Sequence, residues 1–573
     1  MLNMKKISIV DGYIDEPTCL GVPPYISPYP RYIAGAIWDV DSASKISYYT
    51  IDQIRNNTSL IHILNQSDVV ILIAGTSVPG RYLSGYPISI QEASQLFSLI
   101  SKPITILTGP CARIGFSCGG GKTTQLIENI TDDVDLVIKG DSEIVIHEFI
   151  KNKYSLEKTD VLLKRKNPEE IKNYAIKGAK IVKQHPFYPT YLITEIETYT
   201  GCPRTIVGGC SFCSEPQKGL PQFRTIPSIT TEIKALYDND VRHFRIGNQP
   251  CIFSYLSADS GKEEFPRPNP DALEQLFKGI RKSAPTLKTL HIDNANPGIL
   301  ALYPKESKKI AKTIIKYHTP GDVAALGVES VDPIVIKQNN LKASEDEILS
   351  AITLLNDVGS KRGYNGMPHL LPGLNFLFGL KGETKKTYQK NFDFLKKILE
   401  NNLLLRRINL RQVIALPNTK MVETGDKIIK KYKAEFKKFK RNVRQHIEQP
   451  MLKKLVPQAT IIKEVYTEIY DGKLTFARQL GSYPLLIGIP GIHPLHTFYN
   501  VAIVDYGYRS VTAIPYPLNI NTAQKETLEA IPGIGKKRAL RILLKRPFKS
   551  KEDIDQALDD AEVVKQLFSY INF

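Results

Sequence analysis

The sequence predicts an α/β protein of several domains, and three patterns carry that expectation. Short β-favouring runs alternate with helical periodicity over most of the first 420 residues, the rhythm of strands joined by crossover helices. From 455 to about 515 the period drops to two, with turn residues between runs, as in a small β-barrel. A pair of helical segments separated by glycines then closes the chain. At 573 residues the chain outgrows a single core and should divide into roughly three to four domains.

Residues 1–150 form the first domain. The β runs at 7–10, 69–74, 104–108 and 136–139, with a helical stretch at 88–100, predict a Rossmann-like parallel α/β domain. Two features in it invite a chemical reading. The run Cys118-Gly119-Gly120-Gly121-Lys122-Thr123 looks like a phosphate loop, but Phe116 stands where the Walker pattern needs glycine, so nucleotide hydrolysis is not expected. Cys19, Cys111 and Cys118 are read first as ordinary buried thiols. Residues 151–188, charged and Pro/Lys-containing, read as a linker.

Composition narrows the class. Seven cysteines without regular pairing suit a reducing compartment. The sequence has no run of 18 apolar residues and no apolar segment behind its N-terminal lysines, so neither a membrane span nor a signal peptide is expected, and the location expected is cytoplasmic. The net charge of +18 suggests a polyanionic partner without proving one.

The sharpest signal is Cys202-Pro-Arg-Thr-Ile-Val-Gly-Gly-Cys210-Ser-Phe212-Cys213. Three thiolates leave one iron of a [4Fe-4S] cube open to a small molecule. A zinc site would want a fourth ligand at compact spacing, and His185 and His243 lie well outside the run. The run resembles the Cys-x3-Cys-x2-Cys signature of radical S-adenosylmethionine (SAM) enzymes, with Phe212 as the aromatic before the last cysteine. The first spacer departs from that signature, being seven residues long with Gly208-Gly209, whose backbone freedom lets the loop fold back.

That resemblance implies a partial (β/α)6 barrel over 189–420, with its site at the C-terminal strand ends. Runs at 191–198, 241–246, 289–293, 323–328, 374–378 and 407–415 supply the six strands. Within the resemblance, Gly247-Asn248-Gln249 stands where the family places a Gly-Gly-Glu element that holds the SAM amino group, here with an amide for the acid. The loop from His291 to Asn296 carries a polar tip that lines a pocket or merely caps a helix. Gly327-Val328-Glu329-Ser330 resembles a SAM-contacting element of methylthiotransferases, which gives Glu329 and Ser330 that role. Gly379-Leu380-Lys381-Gly382-Glu383-Thr384 matches a turn of the same branch, although Glu383 and Thr384 also suit a helix cap. Lys139-Gly140-Asp141-Ser142-Glu143 resembles an element closing the first domain of B12-dependent relatives, but the cobalamin motif Asp-x-His-x-x-Gly is absent. Methylthiotransferases hold a second [4Fe-4S] cluster on three N-terminal cysteines, so Cys19, Cys111 and Cys118 carry that as the alternative reading. Cys251 is read as a small buried hydrophobe before a radical-handling thiol.

Beyond the barrel, 421–454 is a basic helical connector with Ile428, Tyr432, Phe436, Phe439, Val443 and Ile447 at helical spacing. Residues 455–516 resemble the TRAM domain, an OB-like RNA-binding barrel. Residues 517–573 resemble a helix-hairpin-helix domain, whose Gly533, Gly535, Lys536, Lys537 and Arg538 would meet a nucleic-acid backbone. The layout resembles archaeal-type radical SAM proteins. It implies an enzyme that splits SAM into methionine and a 5′-deoxyadenosyl radical, fed by an electron donor such as ferredoxin or flavodoxin. The substrate favoured is RNA, and tRNA within that class, with methylthiolation as one outcome. A DNA-directed radical SAM enzyme and a nucleic-acid-binding protein with a structural cluster are the alternatives.

Overall fold

The computed structural model describes residues 4–16, 18–76, 83, 85–116 and 120–572. The N-terminal region supplies β1 (Lys6–Asp11), β2 (Tyr25–Ile26), β3 (Lys45–Thr50), β4 (Val69–Ile73), β5 (Ile104–Thr108) and β6 (Leu136–Val137). All but β2 form one parallel sheet in the order β3-β1-β4-β5-β6. The middle strand β4 reads VVILI and is buried along its length, since helices cover both faces of a parallel sheet. The helix Ile90–Ser98 starts at a Ser89/Glu92 capping box and turns Ala93, Leu96 and Phe97 onto that sheet.

The barrel comprises β7 (Ile193–Glu197), the small hairpin β8 (Tyr199–Thr200) with β9 (Gln222–Phe223), then β10 (His243–Gly247), β11 (Thr289–Ile292), β12 (Asn294–Ala295), β13 (Asp322–Glu329), β14 (Leu370–Phe378) and β15 (Arg407–Gln412). Two parallel sheets, β11-β10-β7-β2 and β12-β13-β14-β15, meet where Asp293 alone separates β11 from β12. The result is an open arc of parallel strands. One edge is β2, lent by the N-terminal region in register Tyr25↔Ile193 and Ile26↔Thr194.

The segment read as a linker instead carries the helix Lys172–Gly178, whose Tyr174 and Ala175 are buried in one apolar cluster with Tyr32 and Ala36 of the helix Pro28–Val40. That longer helix is pinned to the barrel by Arg31, which pairs with Glu232, while Arg224 pairs with the same carboxylate at 2.6 Å. Both guanidiniums are fully buried, so removing Glu232 would leave two uncompensated charges in the core.

Apolar positions of the basic connector face the barrel: Phe436 and Phe439 pack on Phe378 with ring centroids 5.1 and 5.0 Å apart. Next come β16 (Ile461–Asp471), β17 (Leu474–Gln479), β18 (Leu486–Pro490), β19 (Phe498–Tyr506) and β20 (Ser510–Pro515), a closed barrel in the order β16-β17-β18-β20-β19. The C-terminal helices share one core with it, from Ala502, Val504 and Ile514 to Ile542 and Leu567. Among the described residues, no helix is long and apolar enough to cross a membrane.

Between β17 and β18 the small barrel pushes Gly481, Ser482 and Tyr483 into the lower part of the large one. Ser482 N–H donates to His291 Nδ1 at 2.8 Å, and the Tyr483 hydroxyl donates to Asp293 at 2.7 Å. The Tyr25 hydroxyl donates to the Gly481 carbonyl at 2.7 Å.

Candidate active site

The three cysteines follow β7 and β8. Cys202 N–H donates to the Gly219 carbonyl at 3.0 Å, and Cys213 N–H closes a tight turn on the Cys210 carbonyl at 3.1 Å. Within the seven-residue spacer, Pro203–Val207 winds into a 3-10 helix that ends at Gly208 in the left-handed conformation, φ 76°. Gly209 follows at φ 63°; side chains pay a steric cost there that glycine does not. The Asn340 amide fastens the reversal by donating to the Val207 and Gly209 carbonyls at 3.1 and 2.9 Å. Asn339 accepts from Ser211 Oγ at 2.8 Å and donates to the Lys381 carbonyl at 2.8 Å, tying the cysteine loop to the Gly379–Thr384 turn. The spacer is thus a folded turn wrapped around Asn339 and Asn340.

All three cysteines are free thiols. Burial, with Cys210 and Glu215 nearby, pushes the Cys202 thiol up to about 11. Burial, Cys210, Glu215 and Cys202 also raise Cys213. Thiols that raise one another's pKa in a buried corner are stabilised as thiolates by a shared cationic partner. Among the described residues, no three His, Cys, Asp or Glu side chains converge as a single metal ion requires. Three soft sulfur donors clustered this way suit an iron-sulfur cube, which spreads its ligands wider than one ion does. The donor set fits the cluster.

One of the residues expected to meet SAM, Glu329, ends β13. Glu329 sits at φ 62°, and its carboxylate lies 3.6 Å from Lys342 Nζ. Burial alone would lower the Lys342 pKa, but Glu329, Cys210 and Cys213 outweigh it and raise it. Lys342 is therefore a buried cation that pairs with Glu329 and feels the charge of Cys210 and Cys213. It passes over Gly327, where a Cβ would come within 2.1 Å of its Nζ. Nothing in the sequence flags Lys342, because no local pattern pairs it with Glu329 or with the cysteine run.

The other expected residues separate. Phe212 packs with Val335, Leu341, Leu380 and Val413, bracing the loop from behind. Ser330 donates to Asn391 at 3.3 Å and accepts from Asp332 N–H at 3.1 Å, so it shapes the bend after β13. Beyond Gly247 at the end of β10, Asn248 donates to Glu197 at 2.7 Å. Gln249 donates to the Ile246 carbonyl at 3.0 Å and accepts from Thr198 at 3.2 Å. Both amides are engaged by the chain itself. Glu383 accepts from Gly379 N–H at 2.6 Å and from the Tyr388 hydroxyl, holding its own turn, and Thr384 caps the helix Lys385–Glu400. Asn296 N–H donates to Cys251 Sγ at 3.2 Å, so that thiol is a packed, internal one.

Cys19 and Cys111 fall in different apolar clusters. Cys19 lies in the apolar cluster of the barrel side, its pKa raised by burial and by Glu195. Cys111 lies in the opposite layer of the N-terminal sheet, with Sγ 3.8 Å from the Thr108 carbonyl. Cys118 falls outside the described residues.

In the tail, Gly533 and Gly535 are exposed just ahead of the helix Lys536–Lys545, and Lys536 and Lys537 are exposed in its first turn. Arg538 is committed elsewhere, pairing with Asp559 at 3.0 Å and Asp560 at 3.2 Å and donating to the Gly533 carbonyl at 2.9 Å. It holds the hairpin rather than extending from it.

The lower barrel holds an ion network the sequence reading missed. Arg245 pairs with Glu195 and, at 2.6 Å, with Asp293, all three nearly inaccessible to solvent. Arg245 and Glu195 are register partners on neighbouring strands, a pairing that periodicity alone does not supply.

The radical SAM superfamily pattern matches residues 196–395. An uncharacterized protein of Methanocaldococcus jannaschii is 47% identical over 510 residues, 88% of this chain and 92% of that protein. An uncharacterized protein of Archaeoglobus fulgidus is 42% identical over 552 residues, 96% of this chain and 97% of that one. Among solved structures, the radical S-adenosylmethionine methyltransferase TsrM from Kitasatospora setae aligns with a TM-score of 0.49 at 13% identity, over 73% of this chain and 75% of that one, a likeness too distant to argue from. The matched segment contains the three cysteines, Glu329 and Lys342: the chain carries a radical SAM superfamily domain there and belongs to one family with these two archaeal proteins.

Proposed function

We propose that this radical SAM enzyme modifies RNA, with tRNA the favoured substrate class and methylthiolation one candidate outcome. The observation that carries the reading is the tail: Lys536 and Lys537 stand exposed at the start of a helix reached through exposed glycines. Open backbone N–H groups and ammonium charges there suit phosphates. The neighbouring five-stranded barrel and the net charge of +18 support the same class of partner.

A bound cluster and SAM supply a hydrogen-abstracting radical, with the electron drawn from a donor such as ferredoxin or flavodoxin. The chain's part is to hold and orient. Cys202, Cys210 and Cys213 would hold the cluster. Glu329 and Lys342 present one negative and one positive group beside it, matched to a cofactor carrying both an amino and a carboxylate group. Tyr483 and the Arg245 network close the lower barrel against water.

The test compares modified nucleosides in RNA from cells with and without the gene by mass spectrometry. One modified nucleoside should disappear from tRNA in the deleted strain. A change confined to DNA, or none in any RNA, would sink the proposal. In vitro, the Lys536→Ala/Lys537→Ala variant should bind tRNA about tenfold more weakly, with its salt slope reduced by about two.

A further inference from the structure

The spacer delivers a guanidinium to the middle thiol. Arg204 Nη1 donates to Cys210 Sγ at 2.9 Å, while Nε and Nη2 meet Glu264 at 2.7 and 2.6 Å. Nη2 also reaches Asn340 Oδ1 at 3.2 Å, and the group lies over the Phe265 ring at 5.8 Å. Arg204 is 2% exposed. A planar fork held on its other edges can aim its remaining donor in only one direction, and that direction is the sulfur. Residue 204 lies in the 3-10 turn Pro203–Val207 that Cys202 opens.

Hydrogen bonds to a ligand sulfur withdraw electron density from the iron and raise the cluster's reduction potential. We propose that Arg204 is a positioning residue that tunes the cluster potential through Cys210 Sγ, favouring the reduced form. The step it eases is the transfer of one electron from a low-potential one-electron carrier protein to the oxidised cluster. No bond is made or broken in that step, and no proton moves. The proposal rests on the radical SAM reading and is independent of the substrate.

The test uses the full chain, reconstituted anaerobically as wild type, Arg204→Gln, Arg204→Lys and Glu264→Gln. Iron and sulfide are counted first, and the midpoint potential is then read by titration followed by electron paramagnetic resonance. The midpoint should move to more negative values in Arg204→Gln, by less in Arg204→Lys, and to more positive values in Glu264→Gln, which loses the counter-charge. A residue that merely braces the loop would change cluster content and leave the midpoint in place. Wild-type midpoints in both Arg204→Gln and Glu264→Gln would overturn the proposal. So would loss of iron from the Arg204 variants with an unchanged midpoint in Glu264→Gln. Formation of 5′-deoxyadenosine by the wild type is scored separately, so failure of the radical SAM reading and failure of this tuning role give different results.

Discussion

Two buried regions of the barrel solve opposite electrostatic problems. At the lower end Arg245 lies between Glu195 and Asp293, Tyr483 caps Asp293, and each buried charge meets its opposite within the chain. At the rim three thiols crowd together, and burial with Cys210 close by raises the pKa of Cys202 and Cys213, with Lys342 and Arg204 as the nearby cations. A buried network that is complete holds shape. A cluster of like donors that the chain balances only in part is built to grip something that is not protein, and it lies at the strand ends where such barrels work.

That contrast can be broken most directly at the rim. Cys210→Ala should abolish cluster binding, seen as loss of iron on reconstitution, while the unfolding midpoint of the metal-free protein stays near wild type. Retained iron would show that the rim is not the metal site. The reverse pattern is expected below: Arg245→Met should cost about 3–5 kcal/mol of stability in chemical denaturation, because two carboxylates lose their partner. Burial already raises Glu195 to about 7. Stability linked to that group is complete below the unfolded carboxylate pKa and is lost as pH rises through about 7, so the variant's deficit should shrink on acidification. A smaller loss, about 1.5 kcal/mol, is expected for Tyr483→Phe, which removes a hydrogen bond to a charged group.

The finest distinction is a pH slope. Burial lowers His243, first among its causes, to about 3, so the unfolded chain takes up a proton near 6.5 that the folded one refuses. That linkage removes stability as pH falls from about 6.5 toward 3. His243→Gln should flatten the wild-type dependence between pH 6 and 4 by about 1.4 kcal/mol per pH unit. An unchanged slope would mean that the lower end is not sealed from water.

What could be read from the chain follows the range of the interaction. The cysteine trio, the strand at 104–108, the helix caps and the aromatic connector are local patterns, and spacing reveals them. Lys342 has no local signature; its role comes from meeting Glu329 and Cys210 across loops. Asn339 and Asn340 look like an ordinary helix end, and only the folded loop shows that their amides shape the spacer. Arg538 reads as a phosphate contact because a basic run looks alike whether its side chains face solvent or turn onto Asp559 and Asp560. The stretch 151–188 reads as a linker because it is charged, yet Tyr174 and Ala175 bury a helix against Tyr32. The Tyr483 contact joins residues 190 positions apart, beyond the reach of any periodic argument.

The loan of β2 to the barrel has a consequence in time. Leu20 N–H donates to Glu195 across 175 residues, at 2.5 Å, and Tyr25 waits for Ile193 to pair with it. On a ribosome adding about 5–20 residues per second, that is roughly ten to thirty seconds in which the early segment has emerged and its neighbour does not yet exist. Closing so long a loop is entropically costly before any contact repays it. The N-terminal segment therefore completes its pairing only after β7 has been made, which couples it to arrival of the strand that leads into the three-cysteine loop.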